Sequence, residues 1–167
     1  MSTLNERHTL AEQVAQAMGK SVYNNVEAHK DITPRLELQQ KSPKLMTLEE
    51  AIRHSGLKDG MTISFHHHFR GGDKVVNMVV AKLAEMGFKG LHLAASSLQD
   101  VHEPLIEHIR NGVITEISTS GLRGELAKEI SHGLMEKPVV FRSHGGRGEA
   151  IASGELHIDV AFLGASS

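Results

Sequence analysis

Three short segments of the sequence set an arginine next to glycines and follow it with an acid. They are His66-His67-His68-Phe69-Arg70-Gly71-Gly72-Asp73, Thr119-Ser120-Gly121-Leu122-Arg123-Gly124-Glu125 and Ser143-His144-Gly145-Gly146-Arg147-Gly148-Glu149. Glycine lets backbone N–H groups come close to a ligand. A helix start adds unpaired donors and a partial positive charge. Arginine adds a planar fork that holds a carboxylate or phosphate at two points. Together these features describe a surface for an anionic substrate. The residues singled out for binding are His66, His67, His68, Arg70, Gly71, Gly72, Ser120, Gly121, Arg123, Gly145, Gly146 and Arg147. The plain alternative is that each segment is a cap or tight turn with a solvent-facing arginine. The repetition across three segments argues against that alternative. The acid at each expected helix start has a structural role of its own, since it stabilises the helix terminus.

The histidine run also invites a metal reading. In a strand end, side-chain alternation sends His66 and His68 one way and His67 the other. Three consecutive residues therefore do not converge on one ion, and no HExxH pattern exists. Donors to a carboxylate or a developing oxyanion are the better reading. His29, His102, His108 and His132 read as helix-surface or loop residues. No G-x-S-x-G elbow and no GxxxxGK[ST] loop occurs, which argues against a hydrolase nucleophile and a nucleoside triphosphatase. Gly146-x-Gly148 begins a dinucleotide fingerprint, but Ile151 stands where its third glycine belongs.

These segments need elements to position them, and the hydrophobic pattern supplies candidates. Residues 61–65, 90–95, 113–118, 138–141 and 157–164 read as strands. Residues 73–87 read as a helix with Asp73 as N-cap, Gly87 as stop, and Val75, Val76, Val79, Val80 and Leu83 on one face. Further helices are expected from Asp100 to about Arg110, with Pro104 near the start and Asn111-Gly112 as the break, and over 123–133 and 147–154. Thr47 and Glu50 form a capping box that opens a short helix ending near Gly56. Strands alternating with helices predict an α/β fold with a mainly parallel sheet and flanking helices. All three chemistry-bearing segments would then follow strands, on the edge where such sheets bind ligands.

Upstream, residues 8–18 carry Leu10, Val14 and Ala17 at helical spacing, with Gly19 as a stop. Residues 20–46, with Pro34 and Pro43, read as an extended arm. The expected division is 1–46 for the N-terminal helix and arm and 47–167 for the α/β domain. No return helix follows the last expected strand, so the natural polypeptide is expected to continue.

Bulk properties narrow the function classes. The chain has 167 residues, a formal net charge of −2, no cysteine, no tryptophan and a single tyrosine. Disulfides, thiol nucleophiles and Cys-ligated metals are excluded. Nothing points to nucleic acid, because there is neither a basic field nor an aromatic stacking surface. No apolar run is long enough to span a membrane and no signal peptide opens the chain, so a cytoplasmic location is expected.

Four stretches together resemble the citrate lyase alpha-chain family: DGMTISFHHHFRGGD (59–73), STSGLRGELA (118–127), FRSHGGRGEAIASGEL (141–156) and IDVAFLGAS (158–166). SHGGR leading to IDVAFLGAS is also similar to the wider coenzyme A-transferase superfamily, which implies a coenzyme A-transferase-like fold. The family's subunit is considerably longer and is built from two related halves, of which this chain matches the first part. The resemblance implies a transferase that exchanges acetate for citrate on an acyl-carrier thioester, giving a citryl thioester and acetate. It implies as partners the lyase beta chain and the acyl carrier (gamma) chain. It implies no cofactor held by this chain, which would act instead on the carrier's dephospho-coenzyme A-type arm. No glutamate matches the covalent class of related transferases, so no catalytic residue is named, and citramalate would suit the same loops as citrate. The alternatives are a non-catalytic assembly fragment of that complex and a sugar-phosphate isomerase-like enzyme.

Overall fold

The computed structural model describes residues 45–66 and 74–164. All of them belong to the compact unit that begins at Leu45. The expected N-terminal helix and nearly all of the arm, and also His67, His68, Arg70, Gly71, Gly72 and Asp73, lie outside the described residues.

The unit is an α/β layer structure around one five-stranded sheet. In chain order its elements are α1 (Leu48–His54), β1 (Thr62–His66), α2 (Val75–Glu85), β2 (Leu91–Ala95), a 3₁₀ turn (Asp100–His102), α3 (Leu105–Arg110), β3 (Ile114–Thr119), α4 (Gly124–Ser131), β4 (Val140–Phe141), α5 (His144–Ser153) and β5 (Val160–Leu163). The sheet order is β4-β3-β2-β1-β5, and every pairing is parallel. The chain therefore steps outward from β1 through β4, then jumps back to add β5 on the other side of β1. That reversal is a topological switch point, where open α/β sheets form a ligand crevice beyond the strand ends.

The two sheet faces differ because side chains alternate along each strand. One face carries Ile63, Phe65, Leu91, Leu93 and Ile117. It packs against Val76, Val79, Val80 and Leu83 of α2, Leu105, Ile106 and Ile109 of α3, and Leu126 of α4. The α2 residues fall at i, i+3, i+4 and i+7, so the apolar stripe expected for this helix is the stripe that is buried. The opposite face is small and polar. Ser64, Ala94 and Ser118 lie in one row across β1, β2 and β3. Among the described residues, α5 and the turn after it lie over this row, through a small cluster of Ala94, Ala150 and Leu156. Helices on both faces of a parallel sheet define the doubly wound arrangement.

Element boundaries shift in ways that matter locally. The helix expected from Asp100 divides into a 3₁₀ turn and α3, which begins after Pro104, a residue that lacks the N–H a continuous helix needs there. The expected strand 138–141 shrinks to Val140–Phe141, both exposed on the sheet's outer edge. The helix expected at 147–154 starts at His144 because the Ser143 hydroxyl accepts from the Gly146 N–H at 3.0 Å. The Thr47–Glu50 capping box forms as read, with both reciprocal bonds present. His102, read as a helix-surface or loop residue, ends the 3₁₀ turn fully buried, and its Nδ1 accepts from the Gln99 N–H at 2.9 Å.

Candidate functional site

Parallel pairing puts the C-terminal ends of all five strands on one edge. His66 closes β1 there, paired with Leu163 of β5 at the switch point. By alternation it faces the same side as Ser64, the side covered by α5. Ser120 and Gly121 follow β3, and Ser143 opens α5 directly after β4. The described members of the three segments thus share the sheet edge where ligands bind.

The loop after β3 is tied to the loop after β2. Leu98 and Leu122 form an isolated parallel bridge beyond the strand ends. The Leu98 N–H donates to the Gly121 carbonyl at 2.8 Å, and the Arg123 N–H to the Leu98 carbonyl at 3.1 Å. The Thr119 hydroxyl donates to the Gly121 carbonyl at 2.9 Å. Gly124 has φ +70°, and a Cβ there would lie 2.5 Å from Asp100 Oδ1 and 2.9 Å from Asp100 Cα. Glycine at this position is therefore required by the neighbouring loop, independently of any ligand. Among the described residues the buried Ser120 hydroxyl oxygen has no hydrogen-bond partner, so a donor or acceptor is left over there at the end of β3.

The two described arginines of the segments occupy different settings. Arg123 is the exposed N-cap of α4 and makes no side-chain cap bond. Gly124 and Glu125 then fall in the helix's first turn, with Glu125 paired to Lys128 at 3.0 Å. Arg147 sits one turn inside α5, with Glu149 beyond the first turn rather than at the helix start. The shared Arg-Gly-acid string is thus a likeness of sequence and not of geometry, because the Ser143 cap begins α5 earlier. Arg147 Nη2 donates to Ser64 Oγ at 2.8 Å and to the Ala94 carbonyl at 3.0 Å. Burial draws its pKa below the ordinary value. Beside it, Arg142 pairs with Glu155 at 2.6 Å.

The first turn of α5 is rich in glycine. A Cβ at Gly145 or Gly148 would meet nothing within 4 Å, whereas one at Gly146 would press on the Ser143 hydroxyl at 3.2 Å. Packing therefore explains Gly146 and leaves Gly145 and Gly148 without a steric neighbour among the described residues.

A further polar residue, His92 of β2, lies on this face. His92 hydrogen-bonds Ser118 Oγ through Nε2 at 2.9 Å and Thr62 Oγ1 through Nδ1 at 3.3 Å. Burial pushes its pKa down, the nearby Glu116 carboxylate pulls it up, and Arg142, Lys137 and Arg147 push it down further. Its place between Leu91 and Leu93 in the β2 alternation was the signal that it faces away from the apolar core. Among the described residues no group of three His, Cys, Asp or Glu side chains is placed to hold a metal ion. Among them, too, no helix is long and apolar enough to cross a membrane.

Comparison with known proteins adds the remaining findings. Residues 42–167 match the family model of the citrate lyase alpha subunit (CitF). The citrate lyase alpha chain of Haemophilus influenzae is 62% identical, over 87% of this chain and 28% of its own length. That of Escherichia coli is 68% identical, over 72% of this chain and 24% of its own length. The chain thus spans about a quarter of the curated relatives it matches. A Streptococcus mutans structure described as the alpha subunit of citrate lyase in complex with citrate superposes with a TM-score of 0.71. It is 57% identical and is covered over 25% of its length by 75% of this chain.

Proposed function

The chain belongs to the citrate lyase alpha-subunit family, and we propose that it supplies part of a transferase site exchanging acetate for citrate on an acyl-carrier thioester. The observation that carries this reading is the gathering of His66, Ser120-Gly121 and the glycine-rich start of α5 on one sheet edge, around a topological switch point. The citrate bound to the Streptococcus mutans relative gives the ligand class.

In the proposed exchange, a citrate carboxylate oxygen attacks the carbonyl carbon of an acetyl thioester. The carbon–sulfur bond breaks, the thiolate leaves, and a mixed citryl–acetyl anhydride remains. The thiolate then attacks the citryl carbonyl, a citryl thioester forms, and acetate departs with the anhydride oxygen. No proton is consumed overall. Such a site must hold several carboxylates and stabilise two oxyanions in turn. A fixed donor aimed at an oxyanion contributes about 3–4 kcal/mol. The Ser120 hydroxyl, the exposed Arg123 and the first-turn amides of His144 and Gly145 are the described groups suited to this work. Glycines without steric neighbours at Gly145 and Gly148 leave the backbone open to a ligand. His67, His68, Arg70, Gly71 and Gly72 complete the proposed set. Glu125, held by Lys128, acts as a helix-start acid and not as a covalent acyl carrier.

The partners in this reading are the lyase beta chain and the acyl carrier chain, whose dephospho-coenzyme A-type arm presents the thioester, in the cytoplasm. The test is citrate-dependent release of acetate from acetylated carrier protein, with calorimetric titration of citrate in parallel. Saturable citrate binding that Arg123→Ala weakens supports the site. A folded chain that binds no citrate at millimolar concentration refutes it.

A further inference from the structure

We infer that Arg147 is a positioning residue that fixes α5 to the sheet, and not a carboxylate ligand as its Gly-Arg-Gly setting suggests. This rests on the citrate-site reading above and assigns one residue of that site a different task.

The argument is one of donor inventory. A guanidinium has five N–H bonds: one on Nε and two on each Nη. A carboxylate gripped at two points uses either the Nη1/Nη2 edge or the Nε/Nη2 edge. Both edges need Nη2. In this structure Nη2 donates to Ser64 Oγ at 2.8 Å and to the Ala94 carbonyl at 3.0 Å, which accounts for both of its hydrogens. Neither two-point edge is left for a substrate.

The acceptors show what the arginine does instead. Ser64 and Ala94 are register partners on adjacent central strands. Ser64 lies two residues before His66, on the same face. One nitrogen therefore pins the second turn of α5 across β1 and β2, directly behind the edge where His66 ends its strand. Among the described residues few other contacts hold α5 there. Ala150 is its only buried residue, its stop at Gly154 is exposed, and Ile151 is 42% exposed. The small side chains of Ser64 and Ala94 let the helix come close enough for the guanidinium to reach. The guanidinium is half-buried over the sheet, where both acceptors lie. By this account Arg147 sets the distance between the first turn of α5 and the β1 edge, and so the width of the crevice at the switch point.

The experiment is a double-mutant cycle on the 167-residue chain, read by calorimetric titration of citrate, with Ser64→Ala, Arg147→Ala and the double variant. Ser64 is in mid-strand and out of a ligand's reach under the positioning account. Arg147→Ala is expected to weaken citrate about tenfold and Ser64→Ala about threefold, with the double variant no weaker than Arg147→Ala, as one shared charged hydrogen bond would give. Unchanged citrate affinity in Ser64→Ala, beside a large loss in Arg147→Ala, overturns the proposal in favour of direct contact. If the parent chain binds no citrate, the site reading fails first. Amide hydrogen exchange of residues 145–150 then decides the positioning role. Exchange about tenfold faster in Ser64→Ala upholds it, and unchanged exchange overturns it.

Discussion

Gly148 occupies the fifth position of α5, and replacing it with alanine should make the protein more stable. Its backbone is helical, and among the described residues a Cβ built there meets no heavy atom within 4 Å beyond its own helix. The substitution therefore adds no clash and buries almost nothing. What remains is the intrinsic difference between the two residues in a helix interior, about 0.8–1 kcal/mol in favour of alanine. For a chain of this size each kcal/mol raises the unfolding midpoint by roughly 2–4 °C. Gly148→Ala should thus melt about 2–4 °C above the parent by far-ultraviolet circular dichroism, with a matching rise in the urea midpoint at constant slope. Citrate affinity should fall at the same time, because the new methyl occupies space that the proposed ligand approaches. An unchanged or lower melting temperature would refute the reading of Gly148 as a helix residue with open space above it. A stabilised variant that binds citrate as well as the parent would detach this glycine from the binding site.

Three further outcomes follow from other parts of the structure. Gly124→Ala should destabilise by about 2–4 kcal/mol in urea denaturation, since it combines a left-handed backbone with a Cβ inside contact distance of Asp100. For His92 the folded pKa lies below the ordinary value of 6.5, so between the two values the unfolded chain takes up a proton that the folded chain refuses. Stability should therefore fall as pH drops below about 6.5, and His92→Gln, which keeps one donor and one acceptor, should flatten that part of the pH profile. Leu93→Ala, at a fully buried position on the apolar sheet face, should cost about 2–5 kcal/mol by the same urea assay, and a loss below 1 kcal/mol would contradict the packing described.

The alternation of strands and helices was legible because each apolar run carries one period. Val76, Val79, Val80 and Leu83 fit a helix, and Ile63, Phe65, Leu91 and Leu93 fit strands with one apolar face. The parallel sheet and its binding edge followed from that order alone. The strand order did not, since periodicity says nothing of which strands become neighbours, and the placement of β5 beside β1 is a tertiary fact. Local chemistry misled at α5. Three glycines argued for a loop, yet the Ser143 cap outweighed their poor helix propensity. The three-fold Arg-Gly-acid pattern likewise suggested three equal binding forks. Its two described arginines differ because one precedes its helix and the other lies inside one. His102 was misread because a lone histidine near charged residues carries no periodic signal, and only the fold shows it enclosed.

The bridge between Leu98 and Leu122 has a consequence for how this protein can vary. It extends the pairing of β2 and β3 past the strand ends, with Gly121 and Arg123 held by Leu98 backbone groups. An inserted or deleted residue in either loop would break that register and drive the Asp100–Gly124 contact apart. Length changes on this half of the edge must therefore come as matched pairs, while single substitutions at exposed positions such as Arg123 leave the frame intact. Diversification of ligand preference along β2 and β3 would proceed by exchanging side chains on a loop frame of fixed length.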